Sequence, residues 1–233
     1  LEAMAEHQVT IGDTSYPLPD PFFVLATQNP IEQEGTYTLP EAELDRFLIK
    51  LSVPYPTPAQ EAEIVRASSG AYTGKNSGGP GNRGGPGNRD ASGNNASSAD
   101  PAVSLNRVIS AADLARLRSD AHSVKIADSV VSYIVGIVAA TRPGADLKKD
   151  RRQRDDYLKY ISFGASPRAS IALSVCARIH ALFEGRDFVL PEDVKAAAPA
   201  VMRHRLVLSY EAGADGLSAD DIIAKVLSIV PVP

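Results

Sequence analysis

Three polar residues stand where their type and spacing could do chemistry. Asn29 directly follows the apolar run Phe22 to Ala26, and open α/β sheets bind ligands at the carboxyl ends of their strands. Its plainer reading is a turn residue ahead of Pro30. Arg46 closes a short helix begun at Pro40, where a cation complements the negative end of the helix dipole. Arg168 is different. It lies in the first turn of a helix that starts at Ser166-Pro167, where a cation opposes the dipole by roughly 0.3–1 kcal/mol. An anion at that helix end would reverse the sign, so Arg168 is a candidate to meet one.

The other reactive residue types form no site. His7, His122, His180 and His204 are scattered without metal-ligand spacing, so no metal centre is expected. Cys176 falls on an apolar helix face and reads as a small buried filler. Gly74-Lys75 imitates a phosphate loop, but Ser69 and Asn76 stand where that loop needs Gly and Ser or Thr. No apolar strand ends in a paired Asp-Glu that could hold Mg²⁺. The run Asp146 to Asp156 carries five bases and four acids and reads as a solvated helix surface.

The elements that must position these residues divide into three parts. Residues 1–67 read as α/β. A helix over Leu1 to Glu6 leads to a hairpin, Gln8 to Ile11 and Ser15-Tyr16, about a Gly12-Asp13 turn. Phe22 to Ala26 is apolar throughout, as a parallel strand covered on both faces would be. Pro40 opens a helix as a first-turn residue, Phe47 to Val53 returns as a strand, and Ala59 to Ala67 is helical. Residues 68–100 hold nine glycines and a tandem GGPGNR repeat, a composition that predicts a flexible linker. Residues 101–233 read as a five-helix bundle. Its marks are a capping box at Ser110 to Asp113, a helix over Ile126 to Thr141, and one from Ser166 to about Gly185. A further helix runs from Pro191 until Pro199 stops it, and the last spans Asp220 to Val230.

Composition narrows the function classes. At 233 residues with 44% hydrophobic side chains, the chain has a real core. Twenty-four Lys and Arg against 28 Asp and Glu give a charge of −4, which argues against coating nucleic acid or an anionic membrane. A single cysteine excludes an internal disulfide and suits a reducing, cytoplasmic setting. No apolar stretch is long enough to cross a bilayer.

Ala26-Thr27-Gln28-Asn29-Pro30, then Gln33 to Tyr37, then Leu39 to Phe47, resemble the MoxR family of AAA+ ATPases. Leu1 through Thr10 resembles the family's segment just after its Walker B strand. Gly164 through Ser170 resembles its lid motif, continued by Gly185-Arg186-Asp187 and Pro191 to Val194. The resemblance implies the C-terminal part of a P-loop NTPase α/β core followed by an all-α lid. It implies ATP and Mg²⁺ as cofactors, and a homo-oligomeric ring, a hexamer, that remodels or matures partner proteins, including those with von Willebrand A domains. On the same resemblance Asn29 matches sensor 1, which orients the attacking water. Arg46 matches the arginine finger that reaches the neighbouring subunit's nucleotide. Arg168 matches sensor 2, which binds nucleotide on its own subunit.

The family's phosphate loop and Walker B acids are absent from the sequence. The chain by itself is therefore expected neither to bind ATP at micromolar concentration nor to hydrolyse it. An alternative of another class is a non-catalytic protein-interaction module that keeps the fold. Nucleic-acid binding through Lys148 to Arg154 is disfavoured by the interleaved acids.

Overall fold

The computed structural model describes residues 2–28, 39–70, 108–143 and 157–233. Asn29, the Asp146 to Asp156 run and the glycine-rich repeat lie outside them. The chain divides into two compact units, Leu1–Leu51 with Ile109–Pro233, and Ser52–Val108.

The first unit opens with helix α1 (Glu2–Glu6) and the antiparallel pair β1 (Gln8–Ile11) and β2 (Thr14–Pro17), in register Val9 to Tyr16. Helix α2 (Glu41–Leu44) has Glu41 and Glu43 in its first turn, where carboxylates favour the positive helix end. Pro40 is its N-cap, with extended backbone (ψ 145°), rather than a first-turn residue.

Two stretches expected as strands have no regular structure. Along Phe22 to Ala26, Phe22 and Val24 are half-buried, while Phe23 (82%) and Leu25 (81%) are exposed. The period-two alternation of an extended chain is kept, but among the described residues no strand pairs with it. Phe47 to Val53 fails for another reason, visible over its first residues. The carbonyls of Phe47, Leu48 and Lys50 accept from side chains of residues 203–205, and Lys50 N–H donates to Ala200 O (2.8 Å). Groups that a strand would offer to a neighbour are already taken.

The second unit contributes helix α3 (Pro58–Gly70), which runs three residues into the stretch expected as linker. Thr57 caps it. Its N–H donates to Gln60 Oε1 (2.9 Å), and Gln60 N–H returns to Thr57 Oγ1 (3.4 Å).

The bundle of the first unit comprises α4 (Ala111–Ser123), α5 (Asp128–Ala140), α6 (Pro167–Phe183), α7 (Pro191–Met202), α8 (Tyr210–Ala214) and α9 (Ala219–Ile229). It carries one short antiparallel pair, β3 (Ile161–Phe163) with β4 (Val207–Leu208), which the sequence reading had not singled out. The expected capping box at Ser110 is present, with Asp113 N–H on Ser110 Oγ and Ser110 N–H on Asp113 Oδ2. Along α6 the buried residues are Ala169, Ala172, Leu173, Ala177 and Ala181, spaced three and four apart as one helical face requires. Small side chains there let α6 pack against Val194, Ala198 and Val201 of α7. Ile134, Ile137 and Val138 of α5 and Ile222, Ile223 and Val226 of α9 complete the core. Gly185 ends α6 at φ +71°, and Arg186 N–H turns back to Ala181 O (2.9 Å).

Pro199 does not stop α7, which continues to Met202. Proline removes its own N–H but keeps its carbonyl, and Arg203 N–H bonds to Pro199 O (3.1 Å). The start of α7 depends on Asp193, whose side chain is fully buried. Its carboxylate accepts from Leu190 N–H (2.7 Å), from both Nη groups of Arg186 (2.7 and 2.5 Å), and lies 2.7 Å from His180 Nδ1. Burial pushes the Asp193 carboxyl up. The bonds from Arg186, Leu190 and His180 together outweigh that and hold it at about 2.

Candidate functional site

Two of the three residues singled out for chemistry are described, and both lie beside one carboxylate. Arg168 occupies the first turn of α6, as expected. Its position is set from behind. Gly164 passes so close to the end of α5 that a Cβ would sit 2.4 Å from Thr141 O, so no other residue fits without a shift. Thr141 Oγ1 then accepts from Ala165 N–H (3.0 Å), and Arg142 Nε–H donates to Ala165 O (2.9 Å). Ser166 follows as N-cap, its Oγ accepting from Arg168 N–H (3.1 Å).

The anion that Arg168 called for is present within the chain. Arg168 Nη1 lies 3.7 Å from Asp45 Oδ2, an ion-pair distance too long for a hydrogen bond. The guanidinium is 58% exposed, and a pair this open to water is worth at most about 1 kcal/mol. A phosphate offering several acceptor oxygens would compete with it readily.

Asp45 has stronger partners. Ser166 Oγ–H donates to its Oδ2 (2.8 Å) and Arg205 Nε–H to its Oδ1 (2.9 Å). Arg205 is the centre of the arrangement, with its side chain only 3% exposed. It donates five hydrogen bonds: to Asp45 Oδ1, to the carbonyls of Asp45 (3.0 Å), Phe47 (2.6 Å) and Leu48 (3.1 Å), and to Val201 O. Burial lowers the Arg205 pKa from its ordinary value, and Asp45 opposes that.

His204 Nε2 also bonds to Phe47 O (3.0 Å). A carbonyl can only accept, so Nε2 carries the proton and the buried Nδ1, which has no hydrogen-bond partner among the described residues, is bare. Burial pushes the His204 pKa down, keeping the ring neutral at physiological pH. Arg203 Nη1–H donates to Lys50 O (3.1 Å) and its Nε–H to Asp220 Oδ1 (3.1 Å). Three consecutive side chains after α7 thus grip residues 45–50.

Arg46 sits inside this gripped segment but takes no part in it. Its side chain is exposed and makes no hydrogen bond or ion pair among the described residues. Two cations, Arg46 and Arg168, therefore flank Asp45, one next to it in sequence and one next to it in space. Cys176 is half-buried against the core, and burial raises its thiol pKa, so it is unreactive. Among the described residues no group of three His, Cys, Asp or Glu could hold a metal ion, and no helix is long and apolar enough to cross a membrane.

The residues that sequence reasoning missed are Ser166 as a donor, Asp45, His204 and Arg205. Arg203-His204-Arg205 reads locally as helix-end cations, and nothing in its spacing points 160 residues back to Asp45.

Comparisons with known proteins place the chain among AAA proteins. Residues 1–49 match the ATPase family associated with various cellular activities (AAA), and residues 159–226 match the AAA lid domain. The whole chain is 40% identical to Chaperone MoxR1 of Mycobacterium tuberculosis, covering 52% of it. It is 36% identical to the uncharacterized protein YeaC of Bacillus subtilis, covering 60% of that protein. A solved protein of Cytophaga hutchinsonii superposes over the full chain with a TM-score of 0.74 at 37% identity, and 60% of that protein is covered. The chain thus spans between half and two thirds of the length of these relatives.

Proposed function

From the chain's membership of the MoxR family of AAA+ ATPases, whose C-terminal portion it matches, we propose that it supplies the finger and lid of an ATP-hydrolysing, chaperone-like ring. The supporting observation is the seating of Asp45-Arg46-Phe47 on the bundle beside Arg168. One segment joins the residue that would face a neighbouring subunit to the residue that would face bound nucleotide.

In this reading Arg168 takes a phosphate oxygen of ATP on its own subunit, exchanging its weak contact with Asp45 for a stronger one. Arg46 reaches across to the neighbour's nucleotide and stabilises charge on the transferring phosphoryl group. Asn29 orients the attacking water. Bound Mg²⁺ would supply neutralisation of phosphate charge. In this reading the exposed row of Phe23 and Leu25 would be covered by neighbouring strands of the assembled core. The ring, a hexamer, would work in the cytoplasm on client proteins, von Willebrand A domain proteins among them.

The test is Arg168→Ala in the full-length protein. Losing one charge-assisted bond to phosphate should weaken ATP binding about tenfold or more, read by titration with a fluorescent nucleotide. Wild-type subunits mixed into the ring should not restore binding to the altered subunit. Unchanged affinity would remove Arg168 from the site.

A further inference from the structure

We propose that Arg205 is a positioning residue for Arg46, clamping the finger segment to the lid through Asp45, Phe47 and Leu48. The proposal rests on Arg46 acting as a finger, and it adds what aims that finger.

Arg46 has no side-chain partner of its own among the described residues. Its aim is therefore set by its backbone, which is held on both sides. Arg205 donates to the carbonyl on one side, Asp45 O, and to two on the other, Phe47 O and Leu48 O. It also fixes the Asp45 carboxylate, and His204 Nε2–H adds a second donor to Phe47 O.

A guanidinium buried to this degree is a poor choice for stability alone. Its desolvation is costly, and well-packed apolar residues of similar volume often serve as well or better. What it offers instead is direction, because its five donors lie in one plane at fixed angles. Here they define where three successive parts of the finger segment sit. Arg168 reaches the same Asp45 carboxylate, so a change at the nucleotide would be felt at the base of the finger.

The experiment uses the full-length ATPase with Arg46→Ala, Arg205→Lys, Asp45→Asn and the two double variants that combine these last with Arg46→Ala. Arg205→Lys keeps the charge and loses the planar fork. A displaced finger should lower kcat by about tenfold to 100-fold, with KM for ATP within about twofold of wild type. Neither Arg205→Lys nor Asp45→Asn should lower kcat further when Arg46 is already alanine, because both act through it. A structural role would lower kcat by the same factor in both backgrounds, and that result overturns the proposal. So does wild-type kcat in folded Arg205→Lys and Asp45→Asn. Should Arg205→Lys fail to fold, Asp45→Asn, at the more open end of the clamp, decides by the same comparison. If Arg46→Ala alone leaves kcat unchanged, it is the finger assignment that falls, and the two failures are told apart.

Discussion

On the proposed function, Arg46→Ala in the full-length protein is expected to reduce kcat for ATP hydrolysis by about 10³- to 10⁵-fold, the range that arginine fingers supply in phosphoryl transfer. The side chain is exposed and unpaired among the described residues, so its removal should cost the fold at most about 0.5 kcal/mol. Any large loss of activity is then chemical rather than structural. ATP affinity should stay within about twofold of wild type, because on the proposed function the finger would serve the neighbour's nucleotide in the transition state rather than its own in the ground state. Steady-state hydrolysis and equilibrium nucleotide titration on one preparation separate the two quantities. Loss of binding and hydrolysis together would show that Arg46 acts in its own subunit's site.

Asp193→Ala should produce the largest loss of stability. It removes a fully buried carboxylate, leaves the Leu190 N–H without its acceptor, and leaves the Arg186 guanidinium with the Phe188 carbonyl in place of a carboxylate. Breaking such a pair costs on the order of 3 kcal/mol, taken at the low end because Arg186 is 23% exposed and can recover water. For a domain of this size that lowers Tm by about 6–12 °C, measurable by calorimetry on the purified chain. The pH dependence has a definite sign. Folding depresses the Asp193 pKa from its ordinary 3.8 to about 2, so the folded state binds fewer protons than the unfolded one between these values. The stabilisation is complete above pH 3.8 and is lost as pH falls toward 2. Asp193→Ala should therefore be less acid-sensitive than wild type across that window. An equal slope would remove Asp193 from the acid transition.

Much of the bundle was legible because its signals are local. Ser110, Ser166 and Gly185 each mark a helix end through a hydrogen bond made within a few residues, and Pro167 and Pro191 mark helix starts through a φ already set for the first turn. Arg168 was legible by a different route, as a cation on the wrong end of a dipole, although the anion found beside it is Asp45. Phe22 to Ala26 reads as a strand because apolar content reports burial and β-propensity, not whether a neighbour is there to pair, whereas Phe47 to Val53 is kept from one by side chains of residues 203–205 on its first carbonyls. Arg205 was hidden for the opposite reason. Four of its five hydrogen bonds go to main-chain carbonyls, which carry no residue identity for a sequence to display. Pro199 was taken as a stop where only one hydrogen bond was at stake.

The separation of Asp45 from Arg205 by 160 residues also bears on how the chain is made. A ribosome adding about 5–20 residues per second takes about 8–30 s to pass from one to the other. Throughout that interval the side chains that will take the carbonyls of Phe47 and Leu48 do not yet exist. The residues 45–48 are thus synthesised well before the side chains that hold them.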